Sequence, residues 1–302
     1  MTAPAAAARV GTGVSAARAA EVAADRSDKV TAFVAVESRG TKASGKCAWQ
    51  LVTISGLAID ERAAVAWLVA DRLMRSRCGR AAAYSKWRDS VLTGLPLTGR
   101  DRDQVIAFTR DVFGMPDSPG SFDHLEGHVG EWLWYLLMSE REDPDRRIAL
   151  LEPPKFSVTE PGPDGFVVYE VDGQPLLFRL WELKKHTGAS GLSGTTREAY
   201  EQLGEQGDRY LAQLTAMHAD KTGNLGQICA ELVDLWVDAD RRAGAGVGVT
   251  SAKLPAPARC FTTMGKHLPR FAEPGQLEAL LCAVQDYHDV AADVRRFVWT
   301  AL

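Results

Sequence analysis

The stretch GPDGFVVYEVDGQPLLFRLWELKKH, residues 162–186, predicts a hairpin of two β-strands. Two apolar runs flank the sequence VDGQP, whose Asp, Gly and Pro are typical of a turn between strands. Asp164 precedes the first run, and Glu182 and Lys184 stand near the end of the second. Because paired strands lie about 5 Å apart, we expect these three charged side chains to meet at one end of a sheet.

The spacing of Glu182 and Lys184 places both on one face of their strand, since side chains alternate between the two faces. Leu183 then points to the other face, toward the core. Two carboxylates bind a hard divalent cation through oxygen, and a lysine orients or polarises a water or stabilises developing negative charge. The hairpin therefore carries a candidate hydrolytic site, and the alternative is a surface ion pair that contributes little stability.

Composition excludes several other classes of protein. The chain has 302 residues, 46% of them hydrophobic, so it can bury one large core or two small ones. The five cysteines are odd in number and form no CxxC pair, which argues against a disulfide framework or a zinc ribbon. The net charge of −4 carries no global signature of nucleic-acid binding.

The N-terminal segment and the apolar runs bear on localisation. No apolar run approaches the roughly 20 residues that a membrane helix needs. The Ala-rich start contains arginines where a signal peptide has an uninterrupted apolar centre. We therefore expect a cytoplasmic, soluble protein with no membrane partner and a loose segment over residues 1–27.

The remaining segments predict an α/β order. KVTAFVAVES and CAWQLVTIS read as two strands, followed by short helices, and GMPDSPGSFD predicts a boundary near residue 120. We therefore expect an N-terminal α+β region over residues 28–120, which would dock a partner or regulate activity, and a second domain over residues 121–302.

Within the second domain, a helix precedes the hairpin and further elements follow it. Helical patterns cover about residues 195–219 and 224–241. GVGVTS and RCFTTM then predict two short strands, and LEALLCAVQDYHDVAADVRRFVW predicts a closing helix.

Pro163-Asp164, followed after 17 residues by Glu182-Leu183-Lys184, resembles the PD-(D/E)xK motif of restriction-endonuclease-like nucleases. The resemblance covers about residues 121–265. It implies a mixed β-sheet flanked by helices, with Mg²⁺ held by Asp164, Glu182 and the backbone carbonyl of Leu183, and with Mn²⁺ able to substitute. It also implies that Lys184 positions the attacking water.

The helix ahead of the hairpin adds a second likeness. Gly127-His-Val-Gly-Glu131 resembles the GxxxE signature of RecB-like nucleases. At about 100° per residue, His128 and Glu131 share one flank of this helix, whereas Glu126 falls on the opposite flank. The resemblance implies Glu131 as a further acidic metal ligand near Asp164, and His128 as a secondary ligand.

A third likeness follows the hairpin. Gln206-Gly-Asp-Arg-Tyr210 resembles the QxxxY signature that follows the ExK strand in RecB-like and λ-exonuclease-like nucleases. An i, i+4 pair lies on one helix face, so Gln206 and Tyr210 are both expected to face the site. Gln202 is a competing choice for the glutamine.

Other catalytic patterns are incomplete. His124 and His128 have the i, i+4 spacing of a zinc protease, but Glu126 does not directly follow the first histidine as HExxH requires. The glycine-rich AGAGVGVTS lacks the lysine of a phosphate-binding loop.

The resemblance thus implies a metal-dependent nuclease, acting on DNA rather than RNA. It also implies, by analogy, an effector subunit of a bacterial anti-phage or restriction system that works with a separate helicase, ATPase or sensor. The alternative is a nuclease-fold scaffold whose site is silent, because fold does not entail activity. Whether the chain forms a homo-oligomer stays open.

Overall fold

Seven β-strands form one mixed sheet with helices on both of its faces. The computed structural model describes residues 11–40, 47–156, 162–188, 191–254, 257 and 259–302. The architecture is therefore α/β, as the sequence predicts. None of the helices in these ranges is long and apolar enough to cross a membrane.

The strands follow each other along the chain in a different order from their order in the sheet. Within the described residues they are β1 (Ala35–Gly40), β2 (Cys47–Ile54), β3 (Gly114–Met115), β4 (Ser118–Pro119), β5 (Arg147–Leu151), β6 (Gly165–Glu170), β7 (Leu177–His186), β8 (Ala245–Ser251) and β9 (Leu277–Val284). The order across the sheet is β1-β2-β9-β8-β7-β6-β5, and β3 and β4 form a separate ribbon. The four central strands, β2, β9, β8 and β7, are parallel, and the outer pairings are antiparallel.

The helices divide between the two faces of the sheet. They are α1 (Ala16–Asp25), α2 (Ile59–Cys78), α3 (Ala83–Thr93), α4 (Gly99–Phe113), α5 (Phe122–Glu140), α6 (Leu192–Met217), α7 (Gly223–Val237), α8 (Met264–His267) and α9 (Tyr287–Thr300). α1 to α5 and α9 share one apolar core with one face of the sheet, and α6 to α8 share a second core with the other. The sheet is thus covered on both sides, as expected where parallel strands are buried.

The N-terminal region belongs to this same sheet. β2 pairs with β9 along its whole length, from Cys47 opposite Leu277 to Ile54 opposite Val284. The predicted boundary near residue 120 therefore does not separate two sheets. Of the segment predicted to be loose, residues 16–25 form α1, which packs on α2; residues 1–10 lie outside the described residues.

Two predictions near the C-terminus are wrong. Leu277–Val284 is the central strand β9 rather than part of a helix, and RCFTTM forms turns that lead into α8 rather than a strand. Every residue of β9 is buried, and all of them except Glu278 are apolar, so its sequence lacks the alternation that marks a half-exposed strand. β5, at the edge of the sheet, was missed because it is short and follows a charged loop.

The hairpin and the helices around it agree with the sequence. β6 and β7 occupy the two predicted apolar runs and pair antiparallel. α6 and α7 cover the two helical patterns predicted over 195–219 and 224–241.

Glycines in β8 allow the side chains of β7 to pack against the backbone of the neighbouring strand. A Cβ on Gly246 would lie 2.2 Å from Cδ2 of Trp181, and one on Gly248 would lie 2.5 Å from Cδ2 of Leu183. Trp181 and Leu183 belong to the core on the α5 side of the sheet. Glu182 and Lys184, which alternate with them, therefore face α6.

We expect Gly246→Ala to lower the free energy of unfolding by roughly 1–3 kcal/mol, because the rigid Trp181 indole cannot move aside without disturbing β7. Gly194→Ala is the matched control, since a Cβ at this position in α6 would meet nothing within 4 Å. Alanine in a helix is expected to stabilise by up to about 1 kcal/mol. Urea unfolding of both variants checks this, and a Gly246→Ala variant as stable as the wild type would contradict it.

Candidate active site at the end of β6 and β7

The hairpin places Asp164 directly beside the Glu182 strand. Gly165, the first residue of β6, pairs with Trp181, so Asp164 lies one step further, opposite Glu182. The backbone N–H of Leu183 donates to Oδ2 of Asp164 at 3.0 Å. Because the N–H and C=O of one strand residue face the same side, the Leu183 carbonyl also points to this edge.

The Glu182 carboxyl is buried and faces another carboxyl. It is 1% exposed, and neither of its oxygens has a well-aligned hydrogen-bond donor among the described residues. Burial, together with the charge of Asp164, raises the pKa of Glu182 to about 9. Burial also raises the pKa of Asp164. Ionising both carboxyl groups at once is therefore unfavourable. A proton or a cation bound between them would remove this repulsion.

Lys184 is the nearest cation to this pair. Its Nζ lies 2.9 Å from Oε1 of Glu182 and donates to Oε1 of Gln202 at 2.7 Å. Burial disfavours the charged ammonium, but the Glu182 carboxylate outweighs this and raises the pKa of Lys184. The ammonium is thus held in a fixed place next to the carboxyl pair.

The helix α6 supplies the glutamine, and it is Gln202. Its side chain accepts from Lys184 and donates from Nε2 to the hydroxyl of Tyr210 at 3.1 Å. Tyr210 is therefore connected to Lys184 through Gln202 and has no hydrogen bond to Lys184 itself among the described residues. Among the described residues, Gln206 makes no hydrogen bond with Lys184 or Tyr210. The structure therefore favours Gln202 over Gln206 as the glutamine of the site.

The helix α5 brings Glu131 to the same edge from the other face of the sheet. Its charge is close enough to raise the pKa of Asp164, second only to burial itself. Glu131 also lines a small cavity together with Leu183 and Lys184. Gly130 allows this approach, since a Cβ there would lie 3.0 Å from the Tyr287 hydroxyl, whereas Gly127 has open space around it.

His128 orients Glu131 instead of standing open to a metal. It is 1% exposed, and its Nε2 accepts from the indole N–H of Trp132 at 3.1 Å. Nδ1 must then carry the proton of the neutral ring, and it lies 3.2 Å from Oε2 of Glu131. With both ring nitrogens engaged, His128 has no lone pair for a cation in this arrangement.

Glu126 lies apart from the carboxyl pair, in a separate cluster. It is 4% exposed, and its carboxylate contacts Nδ1 of His288 and lies 3.3 Å from Nζ of Lys185. The sequence placed Glu126 on the flank opposite Glu131 but gave no sign of its partner, because His288 comes from the distant α9.

Lys155 is a second cation near the site that the sequence pattern did not indicate. Its charge lowers the pKa of Asp164 against the effect of burial. A Cβ on Gly162 would lie 3.3 Å from the Lys155 Nζ, so this lysine packs beside the chain that leads into Asp164. It lies in a loop without motif spacing to the ExK strand, so no sequence signal could have found it.

The donor set suits a hard cation better than a zinc cage. In the part of the chain that the structure describes, no three His, Cys, Asp or Glu side chains group closely enough to hold a metal by themselves. Mg²⁺, however, is commonly held by one or two carboxylates, with waters and phosphate oxygens completing the shell. The undercompensated Glu182 carboxyl next to Asp164, with the Leu183 carbonyl at the same edge, fits that pattern.

Known proteins give no further guide to this site. No protein-family model matches the chain, and no curated protein or solved structure is significantly similar to it. The function therefore has to be argued from the geometry of the site.

We expect Glu182→Gln to raise the free energy of unfolding of the metal-free protein at alkaline pH. The pKa of Glu182 is raised by folding from 4.5 to about 9, so the folded chain holds the proton more tightly and stability falls as pH rises through this window. Because one pKa unit corresponds to about 1.4 kcal/mol, the gain should be at least about 1 kcal/mol near pH 9 and smaller near pH 5.

Urea unfolding with a chelator, at both pH values, measures this difference. Glu198→Gln is the control, because Glu198 also neighbours Lys184 but is 71% exposed. An effect of Glu182→Gln that is the same at both pH values would contradict the prediction.

Proposed function

We propose that the chain is a metal-dependent nuclease that hydrolyses phosphodiester bonds, with DNA the preferred substrate. The observation that carries the proposal is the meeting of Asp164, Glu182 and Lys184 at one edge of the sheet, with Leu183 bonded to Asp164. This set has the composition and spacing of the PD-(D/E)xK motif, and the mixed sheet between helices accords with a restriction-endonuclease-like core.

Asp164, Glu182 and the Leu183 carbonyl would hold Mg²⁺, or Mn²⁺ in its place. The bound cation would neutralise charge on the scissile phosphate and lower the pKa of a water. The raised pKa of Glu182 means that a cation must displace a proton from the pair, so metal affinity should rise with pH.

Lys184 would position the attacking water and stabilise charge that develops on the phosphate. Its ammonium is held between the carboxylate of Glu182 and the amide of Gln202, so little reorganisation is needed when substrate arrives. Glu131, oriented by His128, would add negative charge on the other side of Asp164 and strengthen the attraction for a cation.

The biological setting of this activity is part of the same proposal. By analogy, the chain would be the effector subunit of a bacterial defence or restriction system and would receive substrate from a separate helicase, ATPase or sensor. Residues 28–120 would dock a partner or regulate activity as part of the same body, since β2 pairs with β9 and α2 packs on α9. A partner would therefore bind a surface of the intact chain.

Replacement of Asp164 by Asn or of Lys184 by Ala is expected to reduce cleavage by at least roughly a hundredfold, because each removes a charge from the reacting centre. The measurement is cleavage of linear, circular and single-stranded DNA and of RNA with Mg²⁺ or Mn²⁺. Asp172→Asn is the matched control, since Asp172 lies in the turn of the same hairpin and is 93% exposed.

Two outcomes would count against a nuclease. Cleavage by Asp164→Asn at the wild-type rate under limiting metal would show that the activity resides elsewhere. A wild-type chain that binds nucleic acid but cuts none of the four substrates would favour the silent scaffold instead.

The two glutamines of α6 give a sharper test of the site. We expect Gln202→Ala to slow cleavage roughly tenfold or more, because Lys184 loses the amide that fixes its position. Gln206→Ala, one turn further along α6, should change the rate less than about twofold. Single-turnover rates at saturating metal check this, and the reverse order of effects would restore Gln206 as the motif residue.

A further inference from the structure

The loop between β5 and β6 brings a second lysine to the carboxyl pair. Lys155 lies in this loop, and a Cβ on Gly162 would lie 3.3 Å from both its Cε and its Nζ. The ammonium is therefore beside the backbone two residues before Asp164, and its positive charge lowers the pKa of that acid. Each member of the pair thus has its own lysine nearby, since Lys184 contacts Glu182.

The helix α6 borders the site along the whole distance between the two lysines. The same Cβ on Gly162 would lie 2.9 Å from Oε1 of Gln213, so Gln213 and Lys155 approach one point of the loop. Gln213 follows Tyr210 by three residues, which places both on one face of α6. Tyr210 belongs to the chain of hydrogen bonds that ends at Lys184. One face of α6 therefore reaches from Lys184 to Lys155.

Arg77 of α2 anchors the loop next to Lys155. Its Nη1 donates to the carbonyl of Phe156, and its Cζ lies 3.8 Å from the centre of the Phe156 ring. Its Nε donates to the carbonyl of Phe108 in α4 at 2.6 Å. The guanidinium thus connects the N-terminal helices to the residue that directly follows Lys155.

The charge of Arg77 is buried without a carboxylate in contact. The side chain is 8% exposed, and burial lowers its pKa to about 10. Among the described residues no acid forms an ion pair with it, although the charge of Asp111 acts from a greater distance. An arginine presents its donors in a fixed plane, so it holds the carbonyls of Phe108 and Phe156 in one arrangement.

We propose that Lys155 is a substrate-binding residue that contacts a phosphate of the nucleic-acid strand beside Asp164. Arg77 is its positioning residue, because it fixes the loop through Phe156. This assignment rests on the proposed nuclease function, since it concerns the same site.

Phosphate is the ligand that fits this position. A cation held by Asp164 and Glu182 would draw a phosphate to this edge of the sheet. An ammonium binds phosphate as a point charge, and its three donors allow it to keep a protein partner at the same time. Lys155 then neutralises charge on the bound strand, whereas Lys184 acts at the reacting centre.

The salt dependence of DNA binding tests this contact in the full chain. Anisotropy of labelled DNA is measured with Ca²⁺, which accepts the same oxygen ligands as Mg²⁺, and the DNA is checked on a gel afterwards. Lys155→Ala should reduce the slope of log affinity against log salt by about 0.9 for duplex and about 0.7 for single strands, the loss of one phosphate contact. Lys155→Arg should keep the slope.

Lys29→Ala is the matched control for the loss of one positive charge. Lys29 is exposed and lies close to Thr31, which bonds to Glu140 at the C-terminal end of α5. Its removal should leave the slope unchanged.

Cleavage kinetics with Mg²⁺ give the second measurement. Lys155→Ala should raise KM roughly threefold or more and change kcat less than about twofold, because the contact is made before and during the reaction. Arg77→Lys, which loses the planar fork, and Phe156→Ala, at a position 46% exposed, should raise KM in the same direction. Neither should add more than about 1.5-fold in a Lys155→Ala chain, because both act through that lysine.

The outcomes separate this proposal from the nuclease itself. A wild type that cuts DNA while Lys155→Ala keeps its salt slope and KM overturns the contact and leaves the nuclease standing. A wild type that binds DNA without cutting rejects the nuclease, and the salt slope still decides on Lys155. A wild type that neither binds nor cuts nucleic acid overturns both. Full additivity of Phe156→Ala with Lys155→Ala overturns the positioning role of Arg77.

Discussion

The carboxyl groups of Asp164 and Glu182 lie next to each other in a buried position. The repulsion between their negative charges determines the properties of the candidate site. A buried pair of like charges is unfavourable, which is why the pKa of Glu182 rises to about 9. Neighbouring groups offset part of this repulsion. The Lys184 ammonium contacts Glu182, the backbone N–H of Leu183 donates to Asp164, and the positive charge of Lys155 lowers the pKa of Asp164. A buried pair of this kind adds no stability to the fold, and it is the feature on which the proposed cation site rests.

The register of β7 with its two neighbouring strands brings Asp164 and Glu182 together. Trp181 and Leu183 pack on the glycines of β8 on one face of the sheet, so Glu182 and Lys184 must face the other. β7 runs past the start of β6, which leaves the edge at Leu183 open to Asp164. Charged side chains are thus carried by a strand whose other face is part of the core, and such a strand positions them more accurately than a loop.

The helix α5 connects several features that would otherwise be separate. Near its N-terminus, Glu126 is buried against His288 and Lys185, and in its middle Glu131 reaches the edge of β7. At its end Oε2 of Glu140 accepts from the backbone N–H of Thr31 at 3.0 Å. The three carboxylates therefore belong to one helix, although their partners come from three separate parts of the chain.

The hairpin and its charged ends could be predicted from the sequence, because strand alternation and turn chemistry are local properties. The placement of Glu182 and Lys184 on one face, and of Asp164 beside them, follows from a single turn and a period of two. What the sequence could not determine depends on contacts between distant segments. β9 reads as helix until its neighbours bury both of its faces, and β2 joins the sheet only because β9 offers an edge more than 200 residues later. Gln202 and Gln206 have similar sequence contexts, and only the position of Lys184 across the sheet–helix interface selects Gln202. His128 has the right spacing for a ligand, but tertiary packing commits its ring nitrogens to Trp132 and Glu131, because a buried imidazole must have its hydrogen bonds satisfied.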